Sequence, residues 1–405
     1  MGRMISVYIA VVLLSASASM ATVWYIKADG TGDEPTIQAG IAAAAAGDTV
    51  LLADGTYTGS GNHDISFMGK ALTVRSESGL ADACVIDCQA SALDNHRAFN
   101  ILLGEGPTSR IEGIMMKNGN CSHGGAVRIH YSSPVIQDCV LCGNRAGTGG
   151  AVHIYDESYP TFQNCVFLLN SATTGGAINA EMGGRLVLLS CTLQENTGTV
   201  GGAINGYGVG LRLEECIVTG NSGYEGGAIV MDLCGAASLL TGCTFAQNEG
   251  SWGGAIYSDR TSESIEGCTF VSNSGGHGAH IYISGGEPTI SNCILAYGGV
   301  GSGVYVNDCD RVPVFSCCDI YGNAGGDWIG CIIGQYPLNG NFSACPSFCN
   351  AAAGDFHMCD QSPCLPGNHP VGYECVLIGA WGQGCVCGPS LTEPASWGAI
   401  KSIYR

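Results

Sequence analysis

Asp232 and Asp259 stand one repeat length apart in this chain, and Arg260 follows the second directly. If the repeats that carry them stack, the two carboxylates lie about 5 Å apart. That spacing suits a shared cation or paired-carboxylate catalysis, with a guanidinium alongside. A second set of residues keeps the same register: Tyr155, Tyr207, Tyr257, Tyr282 and Tyr305, with His153 and Glu181 among them. Tyrosine rings are flat, rigid and amphipathic, and beside amides and carboxylates they suit sugar rings. The competing reading is an ordinary strand exterior, where tyrosine is favoured anyway.

What must position these side chains is a phrase: an Asn, a short polar run, then Gly-Gly-Ala and an aliphatic residue. It recurs as NRAGTGGAVHI, NSATTGGAINA, NTGTVGGAING, NSGYEGGAIVM and NEGSWGGAIYS. Cys139, Cys165, Cys191, Cys216, Cys243, Cys268, Cys293 and Cys318 recur every 25 to 27 residues. Five residues after each stands an Asn, with Gly298 the one exception, and two residues after each stands an apolar side chain. Such short units have period-two apolar spacing and bends at Gly or Asn. They cannot bury their own apolar face and must stack on copies of themselves. The fold expected is all-β, a right-handed parallel β-helix of roughly ten coils.

The strand after Gly-Gly points its aliphatic residue inward, so its neighbours point outward. The first outward column is then Arg128, His153, Asn179, Asn205, Val230, Tyr257, Tyr282, Tyr305, and the second is His130, Tyr155, Glu181, Tyr207, Asp232, Asp259, Ser284, Asn307. One arginine, no lysine and no dense carboxylate cluster speak against catalysis on this face, so Asp232, Asp259 and Arg260 are weak catalytic candidates. The tyrosines, His153 and Glu181 are the expected ligand-binding set, open to water.

The reduced thiol is the expected state of the Cys column, because parallel stacking seldom supplies the Cβ directions that a disulfide needs. No histidine accompanies that column, so no metal site is assigned. Eight cysteines between residues 331 and 387 read instead as disulfide-bonded. Residues 22–60 read as an N-terminal cap with a strand, a helix from Pro35 to Gly47 and a first coil; 61–330 as the repeats; 331–390 as Cys-rich coils or cap; and 391–405 as a short tail.

Residues 1–21 carry Arg3, the apolar run ISVYIAVVLL and the small residues SASASMA, the pattern of a cleaved export signal. The mature protein is expected to be secreted or at the cell surface, monomeric, and without a transmembrane segment. A net charge of −19, from 34 acidic against 15 basic residues, disfavours nucleic acid and anionic lipid.

The stretch PTIQAGIAAAAAGDTVLLADGTYTG resembles the amino-terminal cap and first coil of pectate-lyase-like proteins, a superfamily of secreted right-handed β-helices. The repeats FAQNEGSWGGAI and FLLNSATTGGAI resemble the F-x-x-N and G-G-A-[ILV] repeats of chlamydial polymorphic membrane proteins, whose passenger domains are surface adhesins. That match spans residues 113–281, and the Cys-rich segment after Cys331 is unlike the outer-membrane barrel in which those proteins end. The resemblance implies a bacterial surface module that binds carbohydrate or a cell-surface partner, with no cofactor. The alternative it implies is a polysaccharide lyase or glycoside hydrolase, which would hold Ca²⁺ on carboxylates and use a basic side chain to abstract a proton. Enzymes of this fold usually build a groove from long loops. Coils this uniform in length point to a rod that binds.

Overall fold

The computed structural model describes residues 21–235 and 238–387. Apart from Ala21, the expected export signal lies outside them, as does the expected tail. Among the described residues no helix is long and apolar enough to cross a membrane.

One coil shows how the sequence makes the turns. Val135–Gln137, Val140–Cys142, Arg145–Thr148 and Val152–Tyr155 are successive strands. The residue before the column Cys is left-handed, as at Asp138 (φ 53°) and Asn164 (φ 51°), and so is the residue before the column Asn, as at Gly143 (φ 64°) and Leu169 (φ 56°). Each bend therefore occupies one residue, and the next side chain turns inward. Pairing from coil to coil is parallel and in one-to-one register, so the strands form three long sheets of 12, 11 and 10 members. That is more coils than the ten expected. Strands such as Ile65–Ser66 and Phe99–Ile101 lack the phrase yet still alternate buried and half-buried residues.

The core is a set of stacked columns. Ile178, Ile204, Ile229, Ile256 and Ile281 are fully buried, as are Phe167, Leu193, Val218, Phe245 and Phe270. Each such side chain contributes about 1.5–3 kcal/mol by leaving water. The eight column cysteines are buried and unbridged, as expected. Their thiols point at carbonyls instead of at one another: Cys165 Sγ donates to Gln163 O and Ile136 O, both at 3.4 Å.

The column asparagines form a ladder. Each Oδ1 accepts from the backbone N–H and Nδ2 of the preceding Asn, as Asn196 does from Asn170 at 3.0 Å. The run continues unbroken from Asn144 to Asn273. At Gly298 the missing amide is replaced by His280, a residue of the previous corner. Its Nδ1 lies 3.1 Å from Asn273 Nδ2 and its Nε2 lies 2.8 Å from Asn323 Oδ1.

The helix is shorter than the alanine run suggested, Ile37–Ala43 with Thr36 as its N-cap. Lys70 ends it by donating to the carbonyls of Ile41, Ala42 and Ala44 at 2.8–2.9 Å. Beyond Tyr321 come a 3₁₀ helix, Gly330–Gln335, and a small mixed sheet. Disulfides Cys309–Cys331, Cys317–Cys375, Cys349–Cys385 and Cys359–Cys387 fasten this segment, the first two reaching back into the coils. Against expectation, Cys345 and Cys364 are unbridged, because Cys331 and Cys375 pair with coil cysteines instead.

Candidate binding groove

The Gly-Gly pair is needed because the chain folds back sharply there. Gly175 has φ 62°, and a Cβ on it would collide with the Ile178 carbonyl oxygen; one on Gly176 would strike the Gly202 carbonyl oxygen of the next coil. At an ordinary convex corner, outward side chains on the two sides diverge. Here they converge: ring centroids lie 5.1 Å apart for His123 and His153, 5.3 Å for Trp252 and Tyr282, and 5.2 Å for His277 and Tyr305. The corner is re-entrant, and stacking it builds a trough along the solenoid.

The floor of the trough is the first outward column, in the register expected from the repeats. One wall is the second outward column. The other is the residue just before each Gly-Gly, running His123, Thr148, Thr174, Val200, Glu225, Trp252, His277. Sequence reasoning missed this wall, although its position in the phrase is invariant.

Two expectations need correction. The first column does not face open water: His153 is 2% exposed, Asn179 0% and Tyr282 4%, because the pre-glycine side chains lean over them; only Tyr305, at 36%, is open. Nor do the tyrosines make a flat shelf. Tyr257, Tyr282 and Tyr305 stack face on face, at 5.1 Å and 10° and then 5.5 Å and 4°. Their faces are spent on one another, so the trough receives ring edges, with Trp252 beside them.

The opposite end of the floor is polar, with Arg128, His153, Asn179 and Asn205 in succession. Glu181 Oε1 lies 3.1 Å from His153 Nε2, and that bond holds its carboxyl below the usual range. Burial, and then repulsion from His153, Arg128 and Arg97, pushes the His123 imidazole down. Arg128 Nε, His153 Nδ1 and Asn179 Nδ2 are buried without a partner in the protein. Tyr155 sits on the wall, its ring stacked on His130 at 5.5 Å and on His153 at 6.0 Å, and Tyr207 stands on the rim, exposed.

Asp232 and Asp259 do pair across adjacent strands. Arg260 then forks between them, Nη2 to Asp232 Oδ1 at 2.8 Å and Nε to Asp259 Oδ2 at 2.9 Å. Burial raises the Asp232 carboxyl pKa against the opposing pull of Arg260. Its bond to Asp259, followed by attraction to both acids, raises the pKa of the guanidinium. A guanidinium that holds its proton this firmly is a poor base, and carboxylates already paired with it are poor cation ligands.

The chain matches the family described as "Right handed beta helix region" over residues 108–270 and 227–331. Among solved structures it is similar to the one titled "Crystal structure of pectate lyase Pel9A", with a TM-score of 0.51 and 13% sequence identity, over 91% of this chain and 98% of that one. At that identity the likeness is one of fold. No curated protein matches the chain at a significant level.

Proposed function

The chain belongs to the right-handed β-helix family, and from that premise we propose that it is an exported, adhesin-like protein that holds a carbohydrate chain in the trough without cleaving it. The observation that carries this is the re-entrant corner. Repeated over the seven coils from His123 to His277, it makes a continuous channel about 29 Å long at 4.8 Å per coil, whose accessible lining is His123, Arg128 and Glu181 at one end and Trp252, His277 and Tyr305 at the other. An extended polymer with hydroxyl groups matches such a lining. The leader-like residues 1–21 support export to the surface or the medium, the acidic charge of −19 disfavours nucleic acid, and the protein acts as a monomer that needs no cofactor.

Cleavage by elimination would require a free base beside a cation held on carboxylates. On the trough wall Arg260 is committed to Asp232 and Asp259, which favours binding over catalysis. A glycan array with and without Ca²⁺, followed by product analysis, tests the reading. Trp252→Ala combined with Tyr305→Ala should weaken binding by roughly tenfold or more, as truncation of an aromatic anchor does, while circular dichroism shows the β-helix still folded at the assay temperature. Asp232→Asn with Asp259→Asn should leave binding intact. Release of unsaturated oligosaccharides from a polyuronate, abolished by chelator or by Arg260→Ala, would replace this reading with a lyase.

A further inference from the structure

We propose that His63, Asp64 and His96 form a site for one divalent transition-metal ion, Zn²⁺ by donor chemistry, joining two successive coils ahead of the trough. His63 and Asp64 lead directly into the strand Ile65–Ser66, and His96 precedes the strand Phe99–Ile101 that pairs with it. The fold thus brings two imidazoles and a carboxylate from distant parts of the chain to one sheet edge. Their ligating atoms lie within 4.8 Å of one another. His63 Nδ1 is 2.9 Å and His96 Nδ1 is 2.7 Å from the same oxygen, Asp64 Oδ2, and the two rings are 3.8 Å apart.

Asp94 Oδ1 lies 3.0 Å from His96 Nε2 on the solvent side but is not aligned to accept a hydrogen bond from it. The feature that points to an ion is the convergence of both Nδ1 atoms on the single oxygen Asp64 Oδ2, which places one donor atom from each of three residues around a common point.

The carboxylate is held in place as well. Asp64 adopts φ 53°, a conformation sparsely used outside glycine. Its N–H donates to Arg97 O at 2.6 Å, and Arg97 N–H donates to its Oδ1 at 3.2 Å, leaving Oδ2 for the ion. Asn62, buried next to the site, accepts from Ile37 N–H and donates to Thr58 O, which fixes the loop to the helix.

Two imidazoles with one carboxylate suit Zn²⁺ and not Ca²⁺, which takes oxygen ligands. At Zn–ligand distances of about 2.0–2.1 Å, tetrahedral donors stand about 3.4 Å apart, so the cluster needs to open by about half an ångström. The side chains are 12%, 40% and 24% exposed, which leaves room for a fourth, exchangeable ligand from solvent.

The test uses the full chain in a Cys345→Ser background, which removes the exposed thiol. After stripping with chelator, Zn²⁺ is titrated in competition with a chromophoric chelator, and Co²⁺ is added separately to read coordination from its visible bands. One equivalent should bind, with tetrahedral Co²⁺ bands. His63→Ala or His96→Ala should lower affinity at least a hundredfold. Denaturant midpoints in chelator, equal for parent and variants, show that the variants fold. Zn²⁺ binding by the parent no tighter than by His63→Ala, His96→Ala together, or Co²⁺ bands that persist in that double variant, overturns the proposal.

Discussion

Restoring the regular repeat around His280 should remove a pH dependence from the stability of the whole protein. The coil there differs from its neighbours at three positions together: Ala279 replaces the second glycine, His280 replaces the alanine, and Gly298 replaces the ladder asparagine. The three form one unit, since a Cβ on Gly298 would collide with Ala279 Cβ and Asn323 Oδ1. His280 is neutral in the ladder, accepting at Nδ1 from Asn273 and donating from Nε2 to Asn323. A second proton would place Nδ1–H against an amide N–H.

Burial lowers the His280 pKa from 6.5 to about 4 in spite of the Asn323 bond, which acts the other way. The unfolded chain takes up its proton near 6.5 and the folded one only near 4, so the unfolded state binds more protons in between. Stability is complete above pH 6.5, falls as the pH drops, and levels off below about 4. At 1.36 kcal/mol per pH unit the full loss is about 3 kcal/mol, and at pH 5 it is about 2 kcal/mol. The comparison is between the parent and the triple variant Ala279→Gly, His280→Ala, Gly298→Asn, by urea denaturation followed with circular dichroism at pH 7.5, 6, 5 and 4.5. Groups outside the substituted coil cancel in the difference. The parent should lose about 2 kcal/mol relative to the variant on going from pH 7.5 to 5. A difference that stays flat over that range would refute the neutral, buried imidazole.

Three further outcomes are expected. Asn221→Ala leaves Asn196 N–H and Nδ2–H and the Leu193 carbonyl without partners, and should cost about 1–3 kcal/mol in denaturant; an unchanged midpoint would refute the ladder's role. Alkylation before and after denaturation, read by peptide mass mapping, should label the eight column cysteines only after unfolding, and a bridge between neighbours in the column would contradict this. Asp319 is buried, with its carboxyl raised to about 8, so it is protonated when folded and destabilises increasingly as the pH rises from about 4. Asp319→Asn should therefore gain on the order of a few kcal/mol at pH 8 and nothing at pH 4, and a gain independent of pH would argue against the buried acid.

Column membership was legible because it depends on spacing alone. Once Cys, Asn and Gly-Gly were aligned, the partners Tyr257–Tyr282 and Asp232–Asp259 followed, and both pairings are present. The direction of a corner does not depend on spacing. Gly-Gly permits a positive φ in either a convex or a re-entrant bend, and the choice rests on where the Ile178 and Gly202 carbonyls pack. Hence Trp252 and His277 were left out and Tyr282 was placed in water. Side-chain orientation is a second blind spot: a stack of tyrosines reads the same whether the rings lie flat to solvent or on one another. His63, Asp64 and His96 escaped because their coils lack the phrase that set the alignment.

With repeats inside one chain, each position is sampled many times, and the contrast between positions separates constraint from choice. The two corner glycines, the ladder asparagine, the column cysteine and the inward aliphatic residue return coil after coil, because a Cβ, a lost amide or a cavity there would disturb two neighbours at once. The trough positions face no such limit. Along the floor they pass from Arg128 and His153 through Asn179 and Asn205 to Val230 and three tyrosines, and the pre-glycine wall changes with them, from His123 to Trp252 and His277. A rod whose only task was to span a distance would have no use for that gradient. A ligand lying in the trough would meet His123 and Arg128 at one end and aromatic edges at the other. It would therefore bind in one direction, and substitutions at the two ends should weaken it differently: Arg128→Ala for ligands that carry an acidic group, Trp252→Ala for all of them.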